Sequence, residues 1–226
     1  MVIYCQAGCE IAVATTKAYL AQVLILSLIV LTTLYNKKLI NKKDANNYLI
    51  DIKKLINDTK KILDNKEKYQ ELATKIYKNN YMFFIGRGID YSLCMEASLK
   101  MKEISYIHSE AYPAGELKHG TISLIENNTP VIGIITQNDI ALKTISNLKE
   151  TKARGSKIII ITTENIYNKY LKDKFYEEII IVKDINPLLQ SLVIITPLQL
   201  LSYYVAKLRG EDIDKPRNLA KSVTVE

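Results

Sequence analysis

Tryptophan is absent from this 226-residue chain, and three phenylalanines stand against fifteen tyrosines, a skew from which no function follows. Glycine (8) and proline (5) are too scarce for a disordered or low-complexity polypeptide, while 48% hydrophobic residues suffice for a full core. Cysteine is scarce too. Cys5, Cys9 and Cys94 match no disulfide framework, which points to a reducing, cytoplasmic setting. Cys5 and Cys9 have a spacing that suits a metal, but there is no second pair and only two histidines, so no zinc site is expected.

The formal charge of +7 is moderate. Much of it lies in residues 37–68, where ten lysines sit among Asp, Asn and Glu without one arginine or a recognisable nucleic-acid module. That stretch reads as a solvated helical face and no nucleic-acid partner is expected, although a basic protein favours anionic small molecules such as sugar phosphates. Residues 18–36, AYLAQVLILSLIVLTTLYN, carry no charge and are long enough for a membrane span. Gln22, Ser27, Thr32 and Thr33 interrupt the run, and no basic n-region or cleavage site precedes it. It reads as a helix buried between a sheet and a subunit partner, with no membrane involved.

From Thr15 to Lys38 the pattern is one long apolar helix, with Thr15 or Thr16 available as its cap. Residues 44–78 continue as one or two amphipathic helices. Then the character changes. YMFFIG (81–86), a helical segment to about Tyr106, PVIGIIT (130–136), a helix at 139–153, KIIIITT (157–163), EEIIIV (177–182) and a helix at 188–208 describe an α/β three-layer sandwich. Continuous rather than alternating Ile-rich strands imply a parallel sheet covered on both faces. The expected division is a remnant at 1–38, a helical connector at 39–79, a complete α/β unit at 80–208 and a closing tail at 209–226.

Two polar segments carry the candidate chemistry: SLKMKEISYIHSEAYPAGELKHG (98–120) and DKPRNLAKSVTVE (214–226). Gly86-x-Gly88 follows a strand, as a tight turn or as a place where a ligand approaches; the third glycine of a dinucleotide fingerprint is missing. Glu96, Lys100 and Glu103 share one side of a helix, either as an ion-pair ladder or with Glu103 as a carboxylate base tuned by its neighbours. Ala97 and Ser98 thin that helix where a sheet or ligand approaches. His119, bracketed by glycines, is a proton carrier near neutral pH, whereas His108 reads as structural at the end of the preceding helix. Lys221 is an exposed tail lysine or a desolvated amine able to attack a carbonyl. The residues from Asp212 to Arg217 read as a polar hinge, and the tail as a lid.

The run FIGRGIDYSLCMEASLKMKEISYIHSEAYPAGELKHG, with PLQLLSYYVAKLRGEDIDKPRNLAKSVTVE, closely resembles the sugar isomerase (SIS) region of the glutamine–fructose-6-phosphate aminotransferases. AGCEIAVATTKAYLAQ resembles the last part of that family's first isomerase subdomain. The resemblance implies synthesis of glucosamine 6-phosphate from fructose 6-phosphate and ammonia, with no cofactor. It implies that Lys221 forms a Schiff base with the ketose, Glu103 moves the proton between C1 and C2, and Lys100 assists. It also implies that His119 opens the hexose ring at a site completed by the other subunit of a homodimer, with Thr15 and Ala220 near the sugar. From their stripe and loop positions, Lys100, Glu103 and the substrate-binding Gly86–Gly88 turn are expected to converge at the carboxyl edge of the sheet, with Lys221 brought in by the tail. The family's glutaminase domain and Ser/Thr-rich phosphate loop have no counterpart in this sequence. The chain is thus expected to be a gene fragment, half of a split enzyme or a degenerate copy, the alternative being a silent sugar-phosphate-binding or interaction module, and to bind the sugar phosphate weakly or not at all by itself.

Overall fold

The computed structural model describes residues 2–222, so the end of the SVTVE run, from residue 223 onward, lies outside the described residues. An irregular segment leads into α1 (Lys17–Asn36). Thr16 occupies the N-cap but does not cap as expected. Its amide and hydroxyl both donate to Glu10 Oε1, at 2.8 and 3.2 Å, so the hydroxyl turns away from the helix. The next stretch forms two helices, α2 (Lys42–Asp64) and α3 (Lys66–Ile76), broken at Asn65. Asn41 starts α2 by accepting the Asp44 amide at 2.9 Å, which satisfies one of the helix's free donors.

A parallel sheet follows, built from β1 (Tyr81–Gly86), β2 (His108–Pro113), β3 (Pro130–Ile135), β4 (Lys157–Thr163) and β5 (Glu178–Val182), in the order β2-β1-β3-β4-β5. Its crossovers are α4 (Ile89–Ser105), α5 (Ala141–Lys152) and α6 (Glu164–Tyr170), and α7 (Pro187–Arg209) closes the unit. Strand side chains alternate between two cores. Met82, Phe84, Ile132, Ile134, Ile159 and Ile161 meet α3, α4 and α7, whereas Phe83, Ile85, Val131, Ile135, Ile158 and Ile160 meet α5 and α6. Each fully buried side chain of this size stabilises the fold by about 1.5–3 kcal/mol. The three layers of the expected α/β sandwich are therefore present.

Three expectations need correction. Residues 108–113 form a strand; His108 opens β2 instead of finishing a helix, because Tyr106 takes a left-handed conformation (φ 57°) and ends α4 at Ser105, close to the expected end. HSEAYP is polar because β2 is the edge strand, and its serine is matched to α4: Ser98 Oγ donates to the Ser109 carbonyl and Ser109 Oγ to the Ser98 carbonyl, at 2.8 and 2.7 Å. Ala97 and Ser98 thin α4 for this close approach. Second, α6 lies between β4 and β5, where the sequence showed no helix. Third, α1 packs against α7 and α2 rather than on the sheet, leaving Leu26, Ile29 and Val30 substantially exposed. Both α1 and α7 are long and apolar enough to cross a bilayer, but α7 is a core helix with 67% of its apolar window buried.

Candidate functional site

Lys100 lies on the inner side of α4 and is only 4% exposed. Its ammonium donates to Glu103 Oε2 at 2.7 Å and reaches Glu96 Oε1 at 3.5 Å, so the three-residue stripe is a covered cluster rather than a solvated ladder. Burial pushes the Glu96 carboxyl above its ordinary value; Lys100 pulls it down and Glu103 adds to the rise. Tyr19, in the first turn of α1, is raised by burial and by the Glu96 charge, which places that turn beside the cluster. A carboxylate and an ammonium held together out of bulk water are suited to moving a proton at a carbon acid.

The same end of α4 is covered by both ends of the described chain. Ala14 packs with Ile104, Ala206 and Ile213, which sets Thr15 against the turn carrying Glu103. The Val13 amide donates to the Asp214 carbonyl at 3.0 Å. Arg217 is held at Tyr106 twice: its amide donates to the phenol oxygen at 2.7 Å, and its guanidinium lies 4.0 Å from the ring centroid. Asp212 Oδ1 accepts the amides of Asp214 and Lys215, which fixes the polar hinge as a turn. This docking delivers Lys221, whose Nζ donates to the Ala12 carbonyl at 3.0 Å, Glu10 Oε2 at 3.2 Å, Thr15 Oγ1 at 3.3 Å and the Val13 carbonyl at 3.4 Å. The tail is a docked strap through Ser222.

Gly86, Gly88 and His119 lie elsewhere. The expected convergence of the Gly86–Gly88 turn with Lys100 and Glu103 does not occur. The turn precedes the first residue of α4, and Glu103 lies fourteen residues along it, about 21 Å at 1.5 Å per residue. Gly86 is forced by close packing, since a Cβ there would stand 2.7 Å from the Asp90 carbonyl carbon. Gly88 has φ +55°, and Gln137 fills the space its Cβ would take while donating to the Arg87 carbonyl at 2.7 Å. Buried Asp90 accepts the Thr136 amide at 2.9 Å and closes the crevice between β1 and β3. Beside it, a cavity of about 400 Å³ is lined by Thr136, Gln137, Asn165, Asp184 and Gln190 among others, with no Lys or Arg to meet a phosphate. His119 is exposed in a short 3₁₀ turn (Leu117–His119) beyond β2, at that same edge. Ala220 is exposed beside Lys221.

Glu10 and Tyr106 were not singled out from the sequence as parts of this arrangement, and Arg217 was read only as part of the polar hinge. Glu10 is one carboxylate in an otherwise small and apolar run, and its lysine partner is 211 positions away. Among the described residues no group of three or more His, Cys, Asp or Glu side chains is arranged to hold a metal ion.

Residues 75–209 match the SIS domain family model. The chain is 47% identical over 226 residues to a glutamine–fructose-6-phosphate aminotransferase (isomerising) of Caldanaerobacter subterraneus subsp. tengcongensis, covering 100% of this chain and 36% of the relative. With the corresponding protein of Clostridium acetobutylicum the identity is 44%, again over 100% of this chain and 36% of the relative. The chain thus spans little more than a third of the length of these relatives. Among solved structures, the C-terminal domain of the Francisella tularensis glucosamine-fructose-6-phosphate aminotransferase superposes with a TM-score of 0.87 at 33% identity, over 93% of this chain and 59% of that one. A Thermotoga maritima glucosamine-6-phosphate deaminase, at 22% identity and TM-score 0.65 over 94% of this chain and 58% of that one, shares the fold alone. The chain belongs to the SIS domain family, and its named relatives in sequence are glutamine–fructose-6-phosphate aminotransferases.

Proposed function

We propose that this chain is the isomerase portion of an aminotransferase that makes glucosamine 6-phosphate from fructose 6-phosphate and ammonia. The observation that carries the reading is the docking of the Lys221 strap and the Thr15 segment onto the end of α4 that bears the buried Lys100–Glu103 pair. In this reading the Lys221 amine attacks the ketone carbon of the open-chain sugar and water leaves, forming an imine. Ammonia then adds to the imine carbon and expels the lysine amine, which leaves the sugar imine; Glu103 moves a proton between C1 and C2, and Lys100 holds the charge of that carboxylate. Thr15 and the backbone beside Ala220 face the sugar. Gly86 and Gly88 shape the far end of α4 and do not touch the sugar. His119 is exposed and remote from Glu103 within one chain, which suits a residue that serves the site of a second copy. The assembly is a cytoplasmic homodimer in which residues 1–38 belong to a first isomerase subdomain, 39–79 connect, 80–208 form the second and 209–226 close the site.

The test joins this chain to the remaining isomerase residues of the Caldanaerobacter relative and incubates it with fructose 6-phosphate and cyanoborohydride. The hydride reduces an imine to a stable secondary amine. A hexose-phosphate adduct mapped by mass spectrometry to Lys221, and lost in Lys221→Arg, is expected. Adducts spread over surface lysines without preference for Lys221 would overturn the assignment.

A further inference from the structure

Lys221 is 41% exposed in its side chain, yet its amine is not free: four oxygens lie within 3.4 Å of Nζ. Three of them, the Ala12 and Val13 carbonyls and the Thr15 hydroxyl, are neutral. Glu10 supplies the single charge, and its side chain is only 9% exposed. Glu10 is itself fixed from the other side, because Oε1 accepts the Thr16 amide at 2.8 Å and the Thr16 hydroxyl at 3.2 Å while Oε2 faces Lys221. One carboxylate thus has both oxygens committed, one to the first residue before α1 and one to the strap. That geometry explains why Thr16 does not cap its own helix.

We propose that Glu10 is the positioning residue for the Lys221 amine: it anchors the lysine to the start of α1 and parks it beside Thr15 until a carbonyl substrate displaces it. A lysine with four rotatable bonds on an irregular tail has no fixed direction without such an anchor. With four oxygens within 3.4 Å of Nζ, the parked amine is shielded from adventitious electrophiles. Arrival of a carbonyl at Thr15 requires the amine to leave Glu10 and give up a proton before attack. The reading of Lys221 as the imine-forming residue underlies this role.

The experiment is sugar-free, so its failure is separate from failure of adduct formation. The chain is acetylated with an N-hydroxysuccinimide ester, and the rates at Lys221 and at exposed Lys118 are read by peptide mass spectrometry. Amide exchange at Arg217, whose N–H is bound to Tyr106, reports strap docking in parallel. Glu10→Gln keeps an acceptor for Thr16 but removes the charge. Lys221 is expected to react more slowly than Lys118 in the parent, and about threefold faster in the variant, the factor that matches a partly exposed ion pair. Lys118 and Arg217 are expected to stay unchanged. Glu10→Asp, which retracts the charge by one methylene, is expected to give the same change in smaller measure and serves if the amide variant folds poorly. An unaltered Lys221 rate overturns the proposal. So does a faster rate accompanied by lost protection at Arg217, since Glu10 would then merely tether the strap.

Discussion

Glu10 and Glu96 are two carboxylates near lysines, and their surroundings push them in opposite directions. Burial raises Glu10, but the hydrogen bonds from Thr16 and Lys221 outweigh it and hold the carboxyl below its ordinary value of 4.5. A folded-state value below the unfolded one gives stabilisation that is full above the ordinary carboxylate range and is lost as pH falls through the lowered value. Glu96 is raised, with burial the main cause, so its contribution is complete at low pH and is lost as pH rises through the folded value. Followed by NMR, the Thr16 amide shift is expected to titrate with a midpoint below 4.5, with Lys221 and Thr16 as the groups that face the carboxylate. A midpoint at or above the ordinary value would show that the hydrogen bonds do not dominate. At this scale the sequence disclosed the types of chemistry but not all the partners. The spacing of Glu96, Lys100 and Glu103 on one helix is local and was visible. The pairing of Glu10 with Lys221 depends on tertiary folding and left no periodic trace.

The helix α4 joins two unlike ends. At its start, Gly86 lets the first turn come so close to β1 that a Cβ would meet the Asp90 backbone at 2.7 and 2.8 Å. Backbone atoms cannot rotate away as a side-chain tip can, so Gly86→Ala is expected to cost about 1–3 kcal/mol. Gly120→Ala is the control, because nothing lies within 4 Å of its Cβ position. A lowered melting temperature in the first variant and no change in the second are expected by calorimetry; equal effects would refute the packing account. Strands β1, β3 and β4 were legible because fully covered parallel strands read as continuous apolar runs. The edge strand β2 was not, since HSEAYP spends its side chains on serine pairing, Glu110 contacts to His108 and Tyr112, and solvent. The short α6, in turn, offers too few residues for a 3.6-residue period to emerge.

Across the whole molecule, the unbalanced feature is α1. It rests one side on α7 and α2 and exposes Leu26 (61%), Ile29 (43%) and Val30 (48%). Apolar surface of this kind favours association, so this chain is expected to self-associate in sedimentation velocity runs as concentration rises. The double substitution Leu26→Glu and Val30→Glu is expected to reduce that association without lowering the melting temperature, because both side chains are already largely exposed. Association unaffected by the pair would place the sticky surface elsewhere. The absence of charge in residues 18–36 revealed that this helix needs a partner, but composition alone did not identify α7 as the one it has.

The contact between Lys221 and Glu10 joins residues 211 positions apart, whereas the sheet and its helices are completed within residues 81–209. The strap and the segment before α1 therefore meet through a loop that spans nearly the whole described chain, and the entropy cost of such closure grows only slowly with length. Such a contact is separable from the core, so the two ends of the described chain form a unit that opens locally while the sheet and its helices stay folded.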